Sequence, residues 1–169
     1  MTTRILVSAA SRHGATAEIA DEIAGALRDA GFEADLRPPA EVDSLEGYDA
    51  VILGSAVYAG RWIDDARHFA DRHRPALMER PTWLFSSGPI GEPLAPTEAP
   101  LDGVRLQASL VARDHRVFPG RINGSDLSWV ERTITRMVKA PDGDFRDWEE
   151  VRGWATQVAA ELVPEPATR

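Results

Sequence analysis

The chain has no cysteine among its 169 residues. Disulfides, thiolate metal sites and a cysteine nucleophile are excluded, and nothing asks for an oxidising compartment, so a cytoplasmic location is expected. Long apolar runs are missing as well. None approaches the roughly 20 residues that span a bilayer. The opening MTTRILVSAAS has no extended apolar stretch before a cleavage site, so no signal peptide is expected. A basic surplus is also absent: 27 acidic against 19 basic residues leave a net charge of −8. That balance excludes a general nucleic-acid binder, which needs cations to neutralise phosphates. It still permits a local basic pocket.

What is present is ordinary for a globular protein, with 43% hydrophobic and 27% charged residues. This length fits one domain, expected over 1–163, followed by a disordered, proline-bearing tail over 164–169. No internal repeat is visible.

Strand and helix patterns alternate. A short β run covers 4–7. Ile19, Ile23 and Leu27 then recur every four residues and predict an amphipathic helix over 16–30, with Gly31 placed for a left-handed C-cap. A polar strand follows over 32–37, stopped by Pro38 and Pro39, then a helical turn over 40–47. A buried strand over 48–53 ends at Gly54. A helix is predicted over 64–78 and a strand over 82–86. Residues 92–100 hold three prolines and read as a loop. A helix over 101–111, a strand over 115–118 and helices over 126–139 and 148–162 complete the pattern. The alternation predicts a three-layer α/β sandwich: five parallel strands covered by helices on both faces. Ligands in such sheets bind at the carboxyl ends of the strands.

Three stretches rich in small residues fall at those ends. The first, SAASRHGAT, lies between the first strand and the first helix. Helix-start amides lack partners, the dipole is positive there, Ser11 and Thr16 add hydroxyls, and Gly14 lets the backbone curl. Such a group suits a phosphate, although a capped turn without ligand uses the same residues. It has neither the Lys-Ser/Thr pair of a P-loop nor the spacing of a dinucleotide glycine motif. The second stretch is GSAVYAGRW (54–62) and the third SSGPIG (86–91), both read as loops. Tyr58 offers a face for stacking, or simply packs. One phosphate site beside two segments able to hold a flat ring suggests a mononucleotide.

Ser11, Gly14, Thr16, Ala20 and Ile23 match the first-loop pattern of the flavodoxin family, and the element order over the whole chain resembles that family too. Ala9 stands where the family usually has an aromatic. The resemblance implies the flavodoxin-like strand order 2-1-3-4-5 and FMN as cofactor. Ser11, Arg12, His13, Gly14, Ala15 and Thr16 would cradle its phosphate. Ser55, Ala56, Val57, Tyr58, Ala59 and Gly60, with Ser87, Gly88, Pro89, Ile90 and Gly91, would flank its ring. A narrower resemblance is to the flavodoxin-like, menaquinone-dependent protoporphyrinogen oxidases. It rests on GSAVYAGRW and on the run from Phe118 through Trp129, Val130, Glu131 and Arg132 to Asp147–Val151. The segment between Lys139 and Asp147 is shorter here than in that subgroup.

The implied activity is an FMN-dependent oxidoreductase passing electrons between an organic substrate and a quinone, with protoporphyrinogen oxidation as one case. The alternatives are a single-electron carrier serving redox proteins and a flavin-free domain of the same fold. No side chain is required as nucleophile or acid-base pair, because a flavin carries the chemistry. Arg61 and Trp62 are the substrate-side candidates, and Arg12, His13, Arg61 and Arg67 make the rim comparatively basic. His68, His73 and His115 show no metal-ligand spacing, and the first two read as helix-surface residues. The helix over 126–139 fits packing on the sheet better than a membrane surface.

Overall fold

The computed structural model describes residues 2–12, 14–58, 60–88, 101–119, 121–122, 143–144 and 146–163. The expected helix over 126–139 and the tail therefore lie outside the described residues. The described elements are β1 (Arg4–Ala10), α1 (Ala15–Asp29), β2 (Glu33–Leu36), a 3₁₀ turn (Pro39–Glu41), β3 (Ala50–Tyr58), β4 (Arg61–Trp62), α2 (Asp64–Arg72), α3 (Arg74–Met78), β5 (Thr82–Ser87), α4 (Leu101–Leu110), β6 (His115–Phe118), β7 (Arg121–Ile122), β8 (Gly143–Asp144) and α5 (Trp148–Leu162). The parallel strands lie in the order β2-β1-β3-β5-β6, the expected 2-1-3-4-5 when only they are counted. Three short strands were not expected: β4 turns back and pairs antiparallel with the end of β3, and β7 pairs antiparallel with β8 in a separate two-stranded sheet.

Both faces of the sheet are covered, which is why Ile5, Leu6 and Val7 are all fully buried. On one face α1 and α5 bring Ile19, Ile23, Leu27, Trp154 and Val158 against Ile5, Val7, Ile52, Trp83 and Phe85. Each large apolar side chain so buried contributes about 1.5–3 kcal/mol. Asp147 caps α5 by accepting the Glu150 amide at 3.1 Å. Two ion pairs, Arg146 with Glu18 and Arg152 with Glu22, join the α5 end of the chain to α1. On the other face α2, α3 and α4 bring Phe69, Leu77, Leu106 and Leu110 against Leu6, Val51, Leu53 and Leu84.

Three local expectations need correction. The helix over 64–78 is two helices, α2 and α3, meeting at His73 (φ −106°, ψ 15°). Pro75 has no N–H to give the carbonyl four residues back, and its ring crowds that position. His73 is buried rather than on the surface; its Nε2 lies 3.2 Å from the Val42 carbonyl. Finally, β1 and β3 run past the ends read from sequence. The sequence places a strand end at Gly54, yet β3 continues to Tyr58. The glycine is there for space, since a Cβ on it would sit 2.2 Å from the Phe85 ring of the adjacent strand.

Away from the carboxyl ends, near the start of β1 and β3, Asp35 accepts hydrogen bonds from Arg4 (2.7 Å) and the Tyr48 hydroxyl (2.8 Å). The Tyr48 bond first, and then Arg4, hold the Asp35 carboxyl below the usual range. Burial, followed by Asp35, raises Tyr48.

Candidate functional site

Strand register sets three rim segments side by side. Ala10 pairs with Ser55, Ser55 with Ser86, and Ala56 with Ser87. The first segment leaves β1 directly into α1. Gly14 is the N-cap residue of α1 at φ 86°, a left-handed conformation that glycine adopts without steric cost. As a glycine, Gly14 brings no side chain to cap α1, and the space a Cβ would occupy there is open. The Gly14 amide donates to Ser11 Oγ at 3.1 Å, which fixes the curl of the turn. Thr16 is 2% exposed at the helix start. Ala15 is half-buried beside it. His13 lies outside the described residues.

Arg12 reaches from this segment to the second. Its guanidinium lies 4.8 Å from the centre of the Tyr58 ring, a cation–π contact. Tyr58 and Val57 are partly exposed at the end of β3, whereas Ser55 and Ala56 are buried within the strand. The Ser55 hydroxyl is committed inside the protein. It donates to the Ala56 carbonyl (2.8 Å) and accepts the Ile63 amide (2.9 Å). Gly60, at φ 78°, turns the chain from β3 to β4. Ala59 lies outside the described residues.

β4 then separates the two substrate-side candidates. Arg61 is exposed and pairs with Asp102 at 3.6 Å. Trp62 is only 2% exposed, and its indole N–H donates inward to Ser86 Oγ at 2.8 Å. Trp62 is therefore an anchor for the hairpin, not a surface for a substrate. The rim is also less basic than its arginine count suggests, since Arg61 is countered by Asp102 and Arg67 by Asp64.

In the third segment Ser87 is 5% exposed at the end of β5. Gly88 follows at φ 98°, its amide donating to the Phe118 carbonyl at 2.8 Å. Pro89, Ile90 and Gly91 lie outside the described residues.

Several residues that build this rim carry no local sequence signal. Asp102, in the first turn of α4, accepts the Trp62 amide at 3.0 Å across 40 positions. Ser86 lies 2.7 Å from His115 Nε2. The pair looks like half of a hydrolytic triad, but Ser86 is fully buried and already accepts the Trp62 indole. The neighbouring carboxylate of Asp114 accepts the His115 amide and the Trp154 indole. Burial lowers the His115 pKa, and Asp114 offsets part of this. Arg146 is nearly buried, paired with Glu18 on the first turn of α1 and stacked on Trp148. No cluster of residues able to hold a metal ion occurs among the described residues, and no described helix is long and apolar enough to cross a membrane.

The match to known proteins covers most of the chain. A family profile described as "Flavodoxin domain" matches residues 6–149. Protoporphyrinogen IX dehydrogenase [quinone] of Escherichia coli (strain K12) is 25% identical over an alignment that covers both chains completely. Among solved structures, flavodoxin 2 from Bacillus cereus aligns over 95% of this chain and 100% of its own at a TM-score of 0.64, with 21% identity. A Streptococcus pneumoniae TIGR4 flavodoxin aligns over 95% and 100% at 0.62, with 20% identity. The chain belongs to the flavodoxin domain family.

Proposed function

We propose that this protein binds FMN through residues 11–16, 55–60 and 87–91, with Arg61 on the substrate side, and acts as a quinone-linked oxidoreductase. One observation carries the reading: an uncapped helix start with a left-handed glycine lies within an arginine's reach of a partly exposed tyrosine ring. A phosphorylated planar ring calls for those two features together, an anion site at a helix end and an aromatic surface near it. The residues fit the group. The amides at the start of α1, Ser11 and Thr16 would hold the phosphate, and Gly14 leaves room for it. Tyr58 would face the ring, and Arg12 would stand between the two. When bound, FMN supplies a centre that takes up and returns electrons.

The chain's own groups then do three things. Ser11 holds the turn around the phosphate position. The β3–β4 hairpin holds Tyr58 in strand register opposite Arg61. Asp102 limits the positive field of Arg61 at the rim, so any effect of Arg61 on the ring's potential is that of a paired charge. Full-length similarity to the quinone-dependent protoporphyrinogen IX dehydrogenase supports a quinone acceptor and a porphyrinogen donor. In that transfer each quinone gains two electrons and two protons from the donor.

The test is direct. Purified protein incubated with FMN and desalted should retain yellow absorbance, and the loaded protein should oxidise protoporphyrinogen IX only when menadione is present. Flavin retained without turnover would leave a carrier that serves redox proteins. Protein that emerges colourless would overturn the flavin reading.

A further inference from the structure

Trp62, Ser86 and His115 form a chain of hydrogen bonds, and the donors and acceptors available favour one polarity. An indole N–H is only a donor, so Trp62 Nε1 gives its proton to Ser86 Oγ at 2.8 Å. The Ser86 hydroxyl has one proton of its own, and His115 Nε2 lies 2.7 Å away. Both bonds are satisfied when the Ser86 O–H donates to an unprotonated Nε2, which leaves the His115 ring neutral with its proton on Nδ1. A protonated His115 would aim a second N–H at the same oxygen. The hydroxyl proton would lose its acceptor in a fully buried position, which is costly.

This chain ends on the hairpin that carries the rim. Trp62 pairs with Val57 and Arg61 with Tyr58. The same hairpin is tied to the first turn of α4 through the Trp62 amide and Asp102. Gly103, the next residue, admits the His115 ring: a Cβ there would lie 2.3 Å from Cε1. His115 is thus wedged between α4, β5 and β4. The groups facing it are Ser86 from β5, Trp62 from β4 (ring centres 6.4 Å apart) and Gly103 from α4, with the Asp114 charge acting on it from its own chain. Its chain neighbours are Asp114 and Arg116, which pair with each other at 3.8 Å.

We propose that neutral His115 is a positioning residue of the rim: by accepting the Ser86 hydroxyl proton it pins Trp62 and the β3–β4 hairpin, so that protonating it loosens the wall bearing Tyr58 and weakens FMN binding. The part concerning FMN rests on the flavin reading above; the part concerning the hairpin does not. Burial of the ring, which favours its neutral form, acts in the same direction.

Two readouts test it. In protein without flavin, the Trp62 indole N–H resonance, assigned with Trp62→Phe, should shift between pH 8 and 5 with the same midpoint as the His115 ring. It should stay fixed in His115→Gln, whose carbonyl accepts but does not titrate. In the second readout, FMN affinity is measured by quenching of flavin fluorescence at pH 7.5 and 5.5. The wild type should lose about fivefold more affinity than His115→Gln, the scale of one ordinary hydrogen bond. The phosphate of FMN also titrates near pH 6, but identically for both proteins, so the difference reports His115. If His115→Gln does not fold, Ser86→Ala serves instead and should likewise flatten the pH response. Equal pH responses within about twofold, or an indole resonance indifferent to His115 protonation, would overturn the proposal. Should FMN bind neither protein at any pH, the flavin reading fails, and the indole titration alone decides whether His115 pins the hairpin.

Discussion

Residues 11–16 and 54–58 are built from the same kinds of residue and are used in opposite ways. The first segment leaves its strand, curls through a left-handed glycine and starts a helix that no side chain caps. The second stays in the sheet, where Ser55 spends its hydroxyl on Ala56 and Ile63 and Gly54 gives up its side chain to the Phe85 ring. On the proposed reading the first offers hydrogen-bonding capacity to a phosphate; the second uses the same chemistry to hold an aromatic at its tip. Small and hydroxylated residues at a strand end therefore mark either a binding turn or a tight strand, and strand pairing decides which.

The sharpest way to break that comparison is at its two glycines. Gly54→Ala should destabilise the protein by about 3 kcal/mol, because the new methyl would lie inside the Phe85 ring. Urea unfolding would measure it, and a second change, Phe85→Leu, should recover part of the loss. An unchanged midpoint for Gly54→Ala would show that the second segment does not need the space. Trp62→Phe should cost about 2 kcal/mol, from the lost indole bond and the volume removed, and should weaken flavin binding through the hairpin. Gly14→Ala should cost only about 1 kcal/mol, since the strain lies in φ and nothing crowds the position. Its effect on FMN should be larger than its effect on the urea midpoint, and equality of the two would argue against a phosphate at that turn.

Two smaller effects sharpen the picture. The His115 pKa is lowered in the folded protein, so unfolded chains bind more protons as the pH falls below the ordinary imidazole value of 6.5. The stability contributed by neutral His115 is complete above that value and is lost below it. Urea midpoints at pH 7.5 and 5.5 should therefore diverge more for the wild type than for His115→Gln. Arg12→Ala removes a cation–π contact worth about 0.5–1 kcal/mol when exposed, which urea unfolding would register. It should weaken binding of FMN more than of riboflavin, which lacks the phosphate; equal losses would place Arg12 at the ring alone.

Most of the sheet and its flanking helices could be read from the chain. The spacing of Ile19, Ile23 and Leu27 and the apolar run into Leu53 are local signals, and the layers follow from their alternation. The first rim segment was legible for the same reason, since its hydroxyls, glycine and helix start are contiguous. What stayed hidden was long-range. Gly54 looks like a strand end until Phe85 is known to lie across it. Trp62 looks like a surface aromatic until Ser86 is found behind it. Asp102 follows a proline-rich stretch and gives no hint that it holds an amide 40 positions earlier. Such contacts are created by strand register, which no single segment encodes.

The trio of Arg4, Asp35 and Tyr48 lies at the opposite end of the strands from the rim, and its chemistry responds to acid. Because the Asp35 carboxyl is held below its usual range, its contribution is present above the ordinary carboxylate value of 3.8 and fades as the solution becomes more acidic. Acidification should thus unlatch the peripheral strand β2 from the floor of the molecule, and hydrogen exchange at low pH should find the amides of 33–36 opening before those of β3.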